Sequence, residues 1–380
     1  MRILTVSAFF EGHGGGIEVV AGATARALGR CGHECRWAAA AFDAPPDDSL
    51  IIPVPLIAAD PLERWTGLPM PLPSRAARRL LEREVAAADA VIIHDALYVS
   101  SLLAAKYARH YQKPWVLLQH IGPIAYQSRA LRMAMNAANY LVTRRLLAST
   151  PQAVFISDAV RSFFIDTPWA SEPALLLNGV DRELFRPAAS RERAALRERL
   201  GISSRHQHLL FVGRFVEKKG LSVLRDLALM HPEWDLLLVG SGPIDPSTWR
   251  LPNVRILGRK QRTELAELYR AADALVLPSV GEGFPLVVQE AMASGLPVFC
   301  GLDSAAADPG AVDLLHGILV DPDDAKLTAS RFGAAIGCAA PGPDRRLARY
   351  ARSTYDWEGN ALWLERRLRD LLLSNAARTR

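Results

Sequence analysis

The chain has 380 residues, 50% of them hydrophobic, and a formal net charge of +5 at pH 7. This length is too great for one ordinary core and predicts two domains. The mild charge and the lack of zinc-finger, basic-zipper or RNA-binding patterns exclude a nucleic-acid protein, and no apolar run reaches the roughly 18 residues of a membrane-spanning helix.

Short apolar runs alternate with helical patterns through the first half of the chain. This alternation predicts parallel strands joined by right-handed helical crossovers. The predicted strands are Ile3–Ser7, Cys35–Ala40, Ala90–His94, Trp115–Gln119, Ala153–Ile156 and Ala174–Leu177. The predicted helices are Ile17–Arg30, Ser74–Ala88, Val99–His110, Ser128–Ala148 and Asp158–Ile165.

The second half repeats the plan, which predicts a second parallel sheet of the same class. The two halves join near Asn178–Gly201, and Trp357–Leu373 forms a last helix after the second sheet is complete. The predicted strands are His208–Val212, Asp235–Val239, Val254–Leu257, Ala274–Leu277, Pro297–Cys300 and Gly317–Val320. The predicted helices are Gly220–Met230, Thr263–Ala271, Pro285–Ala293 and Lys326–Ile336.

The four cysteines show no metal-binding spacing, so the sequence predicts a reduced, cytoplasmic protein. The first residues read as a strand rather than a signal peptide. Asp321-Pro322-Asp323-Asp324 contains an Asp-x-Asp, but it precedes a helix, where a capping role is the simpler interpretation. No metal site and no cofactor are predicted.

In the second half, Gly213-Arg214 leaves a strand and Lys219-Gly220 enters a helix. An arginine fork and a lysine point charge above a strand end suit a diphosphate. Such cations stabilise a leaving nucleoside diphosphate more in the transition state than in the ground state. The alternative interpretation is a solvated basic turn.

Glu282 and Glu290 bracket the start of an apolar helix that follows the strand Ala274–Leu277. Free N–H groups at a helix start bind anions, and carboxylates bind sugar hydroxyls. A ligand with a phosphate and a sugar would use both. Taken singly, Glu282 is equally explained as a capping carboxylate and Glu290 as a solvated helix residue.

In the first half, the loop Gly12–Gly16 follows the first strand and opens a helix. Its glycines allow close approach of the backbone to a ligand, although their spacing does not fit a dinucleotide fingerprint and a flexible surface loop is the alternative. His94-Asp95 and His120 end neighbouring predicted strands. A single histidine in such a place is more often structural, but two at adjacent strand ends favour a functional site.

Both second-half segments resemble the motifs of retaining glycosyltransferases of family 4. Gly213–Gly220 is similar to the Gly-Arg…Lys-Gly motif of that family, and Glu282–Val298 is similar to its Glu-x7-Glu motif, including Gly283-Phe284-Pro285. The resemblance implies a GT-B fold, which has two Rossmann-like, doubly wound parallel sheets facing across a cleft. It implies an acceptor-side domain at 1–185, a nucleotide-sugar domain at 186–355 and a last helix, 356–380, that crosses back to the first domain.

The resemblance also implies roles for individual residues. Arg214, Lys219, Glu282 and His120 would be catalytic, with the last two touching the transferred sugar. Glu290 would bind the ribose, and Arg259 would lie near the base. Backbone groups would complete the donor site at Gly15, Gly16, Gly213, Gly283, Phe284, Pro285, Leu286 and Val287. The acceptor side would include Gly14, His94 and Asp95.

The stretch from Ala96 to Ser157 contains no Asp or Glu but several Lys and Arg, including Arg144 and Arg145. A stretch of this kind attracts an anionic acceptor or an anionic surface. The segment Tyr126–Ala148 interleaves arginines with Leu and Met, which indicates either a buried crossover helix or a helix that docks peripherally on the inner face of the membrane.

The predicted function is metal-independent transfer of a sugar, with retention, from a UDP- or GDP-sugar to a glycan, lipid-linked or small-molecule acceptor, forming an alpha linkage. Two alternatives stay open. A nucleotide-sugar 2-epimerase would share the two-domain plan without needing an acceptor, and a non-catalytic protein would bind the nucleotide-sugar without turnover. The hypothesis of an NAD enzyme is supported only by the glycine loop.

Overall fold

The computed structural model describes residues 1–61, 69–122, 129–203, 205–339 and 342–378. The chain forms two compact units, the first made of Met1–Asn178 with Trp357–Arg380 and the second of Gly179–Asp356. The second unit therefore begins a few residues before the predicted boundary at 185.

The first unit is built on a seven-stranded parallel sheet with the order β3-β2-β1-β6-β7-β8-β9. Its strands are nearly continuous apolar runs because helices cover both faces of the sheet. The strands are β1 (Arg2–Phe9), β2 (Glu34–Ala40), β3 (Ile51–Leu56), β6 (Ala90–His94), β7 (Trp115–Gln119), β8 (Ala153–Phe155) and β9 (Ala174–Leu175). A small antiparallel pair joins β4 (Ala58–Ala59) and β5 (Leu72–Pro73).

Alternate residues of β1 enter different cores on the two faces of this sheet. Leu4 and Val6 pack with one set of helices, while Ile3 packs with the other. The first set is α2 (Arg75–Ala87), α3 (Val99–His110), α5 (Arg144–Ser149) and α6 (Asp158–Phe163), and the second is α1 (Gly16–Arg30) and α14 (Trp357–Arg378). The last helix thus completes a core of the first unit.

The second unit has a six-stranded parallel sheet with the order β12-β11-β10-β13-β14-β15. The strands are β10 (Gln207–Val212), β11 (Trp234–Val239), β12 (Val254–Gly258), β13 (Ala274–Leu277), β14 (Val298–Gly301) and β15 (His316–Ile318). The helices are α7 (Ser190–Arg199), α8 (Leu221–Met230), α9 (Arg262–Ala271), α10 (Leu286–Ala293), α11 (Leu302–Ala305), α12 (Ala325–Cys338) and α13 (Arg345–Thr354). The prediction of two doubly wound parallel-sheet units is confirmed.

The long crossover helix predicted over Ser128–Ala148 is wrong as a single helix. Ser128 lies outside the described residues, and the structure has α4 (Arg129–Ala138), a π-helical turn (Asn139–Thr143) and then α5. Inside the turn, the buried Thr143 hydroxyl donates to the Asn139 side chain at 3.1 Å. A π-turn inserts one extra residue into the helical ladder, which apolar periodicity does not register.

Several regular elements were missed, and β3, α7 and α13 show why. The strand β3 contains Pro53 and Pro55, which read as loop residues but fit here because β3 is the outer strand of its sheet. The helices α7 and α13 are highly charged and lack an apolar run. Each buries only one or two side chains, so few apolar positions mark these helices in the sequence.

Candidate functional site

Each sheet has one position where the strand order reverses, and ligands of open α/β sheets bind at the carboxyl ends of the strands there. In the first unit this position lies between β1 and β6, and in the second between β10 and β13. The glycine loop follows β1, and His94 is the last residue of β6. Arg214, Lys219 and Glu282 follow the second pair of strands, so each unit places some of its predicted residues at its own reversal point.

The loop after β10 is fixed to the loop after β13 through the backbone. The Val280 N–H donates to the Lys218 carbonyl at 2.9 Å. Gly220 has φ 74°, and a Cβ on it would lie 2.4 Å from the Pro278 carbonyl oxygen. Only glycine fits this left-handed, closely packed position, which ends the short turn Glu217–Lys219 and starts α8.

This junction brings Lys219 and Glu282 together. The Lys219 ammonium donates to Oε2 of Glu282 at 2.9 Å, and the Lys218 Nζ lies 3.7 Å from Oε1. The Glu282 side chain is 14% exposed. Burial opposes its ionisation, but the two lysines dominate and lower the pKa of Glu282. Its Oε1 is buried and has no hydrogen-bond partner among the described residues, so a ligand hydroxyl would satisfy it.

Arg214 is exposed in the same loop, beside the half-buried Gly213. Two further glycines, Gly240 and Gly242, hold this segment in place, and neither was predicted from the sequence to do so. A Cβ on Gly240 would lie 1.8 Å from the Gly213 carbonyl oxygen, and one on Gly242 would lie 2.4 Å from that of Phe215. Two glycines at the end of β11 were the available signal, because glycine marks close backbone approach.

Glu290 occupies a separate cluster. It lies on α10, and its Oε2 accepts a 3.0 Å hydrogen bond from the Tyr269 hydroxyl. Burial raises the pKa of Glu290 to about 7, although Arg262 and the Tyr269 hydrogen bond oppose the rise. The pKa values of the two carboxyls of the predicted Glu-x7-Glu pair are therefore shifted in opposite directions.

The segment between the two glutamates forms the start of α10. Gly283, Leu286 and Val287 are half-buried, and Phe284 and Pro285 are buried. Pro285 precedes the first helical residue, so the N–H groups of Leu286 and Val287 lack intrahelical partners, whereas that of Val288 donates to the Pro285 carbonyl at 3.0 Å. Arg259 lies elsewhere, exposed on the turn after β12, the outer strand of the sheet.

In the first unit, Gly14 has φ 79° and Gly16 is the first residue of α1. Oε2 of Glu18 lies where a Cβ of Gly15 would be, at 2.1 Å. The Glu18 side chain thus folds back onto the glycine loop, and the residue is only 4% exposed. Burial raises the pKa of this carboxyl to about 7, and Asp95 and Asp43 add to the rise. The sequence analysis gave Glu18 no role.

His94 and His120 form a buried pair. Nδ1 of His94 lies 3.0 Å from Nε2 of His120, and the rings are stacked. Burial lowers the pKa of His120 to about 3 and that of His94 well below its ordinary value. His94 is 0% exposed, and its Nε2 has no partner among the described residues. Any effect of His94 on a ligand must therefore pass through His120.

Asp95 shapes the loop after β7. It has φ 62°, and its Oδ2 accepts hydrogen bonds from the Ile121 N–H at 3.0 Å and the Gln119 amide at 3.2 Å. Burial raises the pKa of this carboxyl to about 6, against the effect of those hydrogen bonds. A left-handed backbone at a residue other than glycine is strained, and here the strained residue adjoins the histidine pair.

Asp324 accepts a hydrogen bond from the Leu327 N–H at 2.8 Å, which confirms the predicted helix cap. Within the described residues, no group of three or more His, Cys, Asp and Glu side chains is arranged to hold a metal ion. Likewise, no helix in the described part of the chain is both long and apolar enough to cross a membrane.

Comparison with known families agrees with this architecture. The model described as Glycosyltransferase Family 4 matches residues 14–184, and the model described as Glycosyl transferases group 1 matches residues 206–336. The D-inositol 3-phosphate glycosyltransferase of Corynebacterium kroppenstedtii is 32% identical over 211 residues, or 49% of this chain and 46% of that protein.

A second relative is the GDP-mannose-dependent monoacylated alpha-(1-6)-phosphatidylinositol monomannoside mannosyltransferase of Corynebacterium glutamicum. It is 30% identical over 165 residues, which cover 39% of this chain and 43% of that protein. The chain spans about half the length of the curated relatives it matches.

Two solved structures share the fold over nearly the whole chain. The sucrose-phosphate synthase of Thermosynechococcus elongatus has a TM-score of 0.72 at 20% identity, covering 98% of this chain and 100% of that one. Anabaena HepE, in complex with UDP and glucose, has a TM-score of 0.66 at 18% identity, covering 97% and 100%. The predicted GT-B fold is thus confirmed, and the chain belongs to the glycosyltransferases of family 4, group 1.

Proposed function

We propose that this protein transfers a sugar from a nucleoside diphosphate sugar to an acceptor hydroxyl, with retention and without a metal ion. The observation that carries the proposal is the contact between Lys219 and Glu282 at the reversal point of the second sheet. A cation and a carboxylate 2.9 Å apart match a ligand whose diphosphate adjoins a sugar. Oε1 of Glu282 is buried and accepts no hydrogen bond from the described residues, which supports a sugar hydroxyl at that place.

In this proposal, Arg214 and Lys219 bind the diphosphate and stabilise the charge that develops as the sugar bond breaks. The N–H groups at the start of α10 add partial positive charge. Glu282 and His120 position the transferred sugar, and Glu290 binds the ribose. The acceptor hydroxyl attacks from the face that the diphosphate leaves, which gives an alpha linkage, and the departing phosphate takes the proton.

The donor base is proposed to be uracil, since HepE was solved with UDP and glucose. The acceptor is proposed to be anionic, of the inositol phosphate or phosphoinositide class. The names of two relatives support this, as does the acid-free stretch from Ala96 to Ser157. An acceptor phosphate would gain affinity from that positive field.

The decisive experiment combines donor binding with product analysis. UDP, GDP and ADP are compared by thermal shift, and the preferred nucleotide at 100 times its dissociation constant should add about 2.7 kcal/mol of apparent stability. The matching nucleotide-glucose is then incubated with and without inositol phosphates, in EDTA. A glycosylated acceptor with an alpha linkage supports the proposal. Release of an epimerised sugar, or binding without turnover across the acceptors, supports one of the two alternatives instead.

The protein is further proposed to act at an anionic membrane surface. The basic-apolar surface that would dock is formed by exposed residues of α4, the π-turn, α5 and the segment after α6. These residues are Arg132, Met133, Tyr140, Leu141, Arg145 and Ile165. Exposed apolar side chains among arginines bind lipid headgroups and the upper acyl region together.

Flotation tests the docking surface. Vesicles containing phosphatidylserine should carry the protein at low salt, and phosphatidylcholine vesicles should not. Met133→Ser with Tyr140→Ser should abolish flotation, whereas Leu229→Ser, which changes an exposed leucine of the second unit, should leave it unchanged. Equal flotation of all three proteins, or none at low salt, would refute membrane docking without touching the transferase proposal.

A further inference from the structure

Tyr269 is a buried residue of the second unit to which neither the motifs nor the comparisons give a role. It lies on α9, is 1% exposed, and its hydroxyl donates to Oε2 of Glu290 at 3.0 Å. Because a buried tyrosine hydroxyl needs a partner, this bond satisfies both groups at once. It also fixes the plane of the Glu290 carboxyl, and therefore the direction in which both carboxyl oxygens face.

The tyrosine ring is itself held in place. Phe185 packs edge-on against it with ring centroids 5.8 Å apart, and the Arg262 guanidinium lies 5.5 Å from the centre of the Phe185 ring. The Tyr269 ring is held by its edge-on contact with Phe185, whose own ring is held by Arg262, so the hydroxyl cannot swing away at little cost. The hydrogen bond to Glu290 is thus a preorganised feature of the free protein.

Three residues influence the ionisation of Glu290. Arg262 and the Tyr269 hydroxyl, both from α9, favour the ionised carboxylate, and Asp181, in the segment before α7, opposes it. Burial outweighs these effects and raises the pKa of Glu290 to about 7. Near neutral pH, the balance between carboxyl and carboxylate therefore depends on whether Tyr269 donates its hydrogen bond.

We propose that Tyr269 is a positioning residue that holds Glu290 in the orientation and charge state that binds the ribose hydroxyls of the donor nucleotide. The inference rests on the proposed function, because it takes Glu290 as the ribose ligand. A carboxylate accepts hydroxyl hydrogen bonds at both oxygens, whereas a protonated carboxyl loses acceptor capacity. Tyr269 acts only through Glu290 and need not touch the donor.

The test uses Tyr269→Phe, which removes one hydroxyl and keeps the ring. UDP, GDP and inorganic pyrophosphate are titrated calorimetrically between pH 6 and 9. We expect affinity for the preferred nucleoside diphosphate to fall roughly tenfold at pH 7, the size of a lost hydrogen bond to a charged group. The pH midpoint of nucleotide binding should move upward, since the ionised form has lost a donor. Pyrophosphate has no ribose, so its affinity should not change.

Tyr350→Phe is the matched control, because the Tyr350 hydroxyl also donates to a buried carboxylate of the same unit, Asp308, at 2.9 Å. It should leave nucleotide affinity and its pH midpoint unchanged. In a Glu290→Gln background, Tyr269→Phe should have no further effect if it acts through that carboxyl. Phe185→Leu is a second route, which keeps the hydroxyl but loosens the ring, and it should weaken nucleotide binding in the same direction.

Several results would overturn the inference. Nucleotide affinity within twofold of the parent, an unmoved pH midpoint, or an undiminished effect of Tyr269→Phe in the Glu290→Gln background would each do so. Equal loss of pyrophosphate binding would also overturn it, since that would indicate a general disturbance of the unit. A parent protein that binds none of the nucleoside diphosphates would instead refute the proposed function itself.

Discussion

Glu282 in the second unit lies between two lysines, with the Lys219 ammonium 2.9 Å away, whereas Glu18 in the first unit is buried with two other carboxylates as its charged neighbours. Paired charge lowers the pKa of the first, and burial raises the pKa of the second to about 7. The second unit thus keeps an ion pair at its strand ends, whereas in the first unit burial shifts the carboxyl equilibrium toward the neutral form.

The histidine pair fits the same contrast, because burial keeps both rings neutral. Fixed charge suits an ionic ligand such as a diphosphate, while buried neutral groups suit hydrogen bonding to a sugar. Glu290 departs from this contrast between the two units. It lies in the second unit but forms no salt bridge with any described residue, and burial of its carboxyl raises the pKa as it does for Glu18.

The largest effect is expected from Lys219→Ala. Removing the cation that is proposed to bind the diphosphate should lower kcat about 100-fold, or about 3 kcal/mol in transition-state stabilisation. Arg214→Ala should act in the same direction. Lys218→Ala is the matched control, because Lys218 is 43% exposed and 3.7 Å from Glu282, and it should change kcat less than threefold. Steady-state kinetics within threefold of the parent for Lys219→Ala and Arg214→Ala would remove the diphosphate role.

The glycine loops of the two units should differ in their tolerance of a side chain. Gly220→Ala combines positive φ with contact to a backbone oxygen that cannot move, so we expect a loss of about 3 kcal/mol in unfolding free energy. Gly15→Ala meets only the Glu18 carboxyl, which can rotate away, and should cost less than about 1 kcal/mol.

Urea denaturation measures both variants, with Gly201→Ala as the control for strain alone. Gly201 has φ 60° and open space around its Cβ position, so about 1 kcal/mol is expected. If Gly220→Ala cost no more than Gly201→Ala, the close packing of the loops after β10 and β13 would be contradicted.

The carboxylates provide the sharpest comparison of the units. A folded-state pKa of about 7 at Glu18 and Glu290, above the value of 4.5 in the unfolded chain, means that the folded state binds more protons between these values. Stability is therefore lost as pH rises through that window. At pH 8, Glu18→Gln or Glu290→Gln should raise the unfolding free energy by about 2 kcal/mol, and the gain should vanish near pH 4.

Glu282→Gln should behave oppositely at pH 8. It leaves the largely buried Lys219 ammonium without its ion-pair partner, so the unfolding free energy should fall. Chemical denaturation at pH 4, 6 and 8 measures all three variants. A stabilising Glu282→Gln, or destabilising variants at Glu18 and Glu290, would break the contrast between paired and buried carboxylates. Glu290→Gln should still weaken nucleotide binding, so this variant should gain stability at pH 8 while it loses affinity for the nucleotide.

The smallest expected effect is an absence of titration. Burial lowers the pKa of His120 to about 3 and that of His94 well below its ordinary value, so neither ring should gain a proton between pH 5 and 8. Their ring-proton NMR signals, assigned with His94→Gln and His120→Gln, should not move over this range, while the urea-unfolded chain should titrate near pH 6.5. Protonation of either ring near pH 6 would mean that water reaches the pair.

Much of the fold was predictable because parallel strands buried on both faces leave long apolar runs, as in Ala90–His94 and Trp115–Gln119, which the structure has with the predicted bounds. The longer elements that escaped prediction lack an uninterrupted apolar run. The strand β3 has two prolines, and α7 is held largely by Arg193 and Arg197, which both contact Asp273. Pairing across the sheet and long-range ion pairs leave no local pattern in sequence.

The residues at the two reversal points could likewise be recognised as motifs in the sequence. Their contacts and their ionisation could not be predicted from it. Lys219 and Glu282 are 63 positions apart, and no local sequence pattern indicates that they are in contact. No local pattern indicates either that Oε1 of Glu282 accepts no hydrogen bond from the described residues. Spacing also suggested that Glu282 and Glu290 form one pair, whereas Tyr269 and burial set Glu290 apart.

The sequence by itself determined the class of the fold, the family and the candidate residues at the strand ends, because each is written in local periodicity and short motifs. The tertiary structure decided which carboxylates are charged, which histidines are neutral and which tyrosine orients Glu290. Ionisation depends on burial and on charges brought close from distant parts of the chain, and only the folded backbone sets those distances.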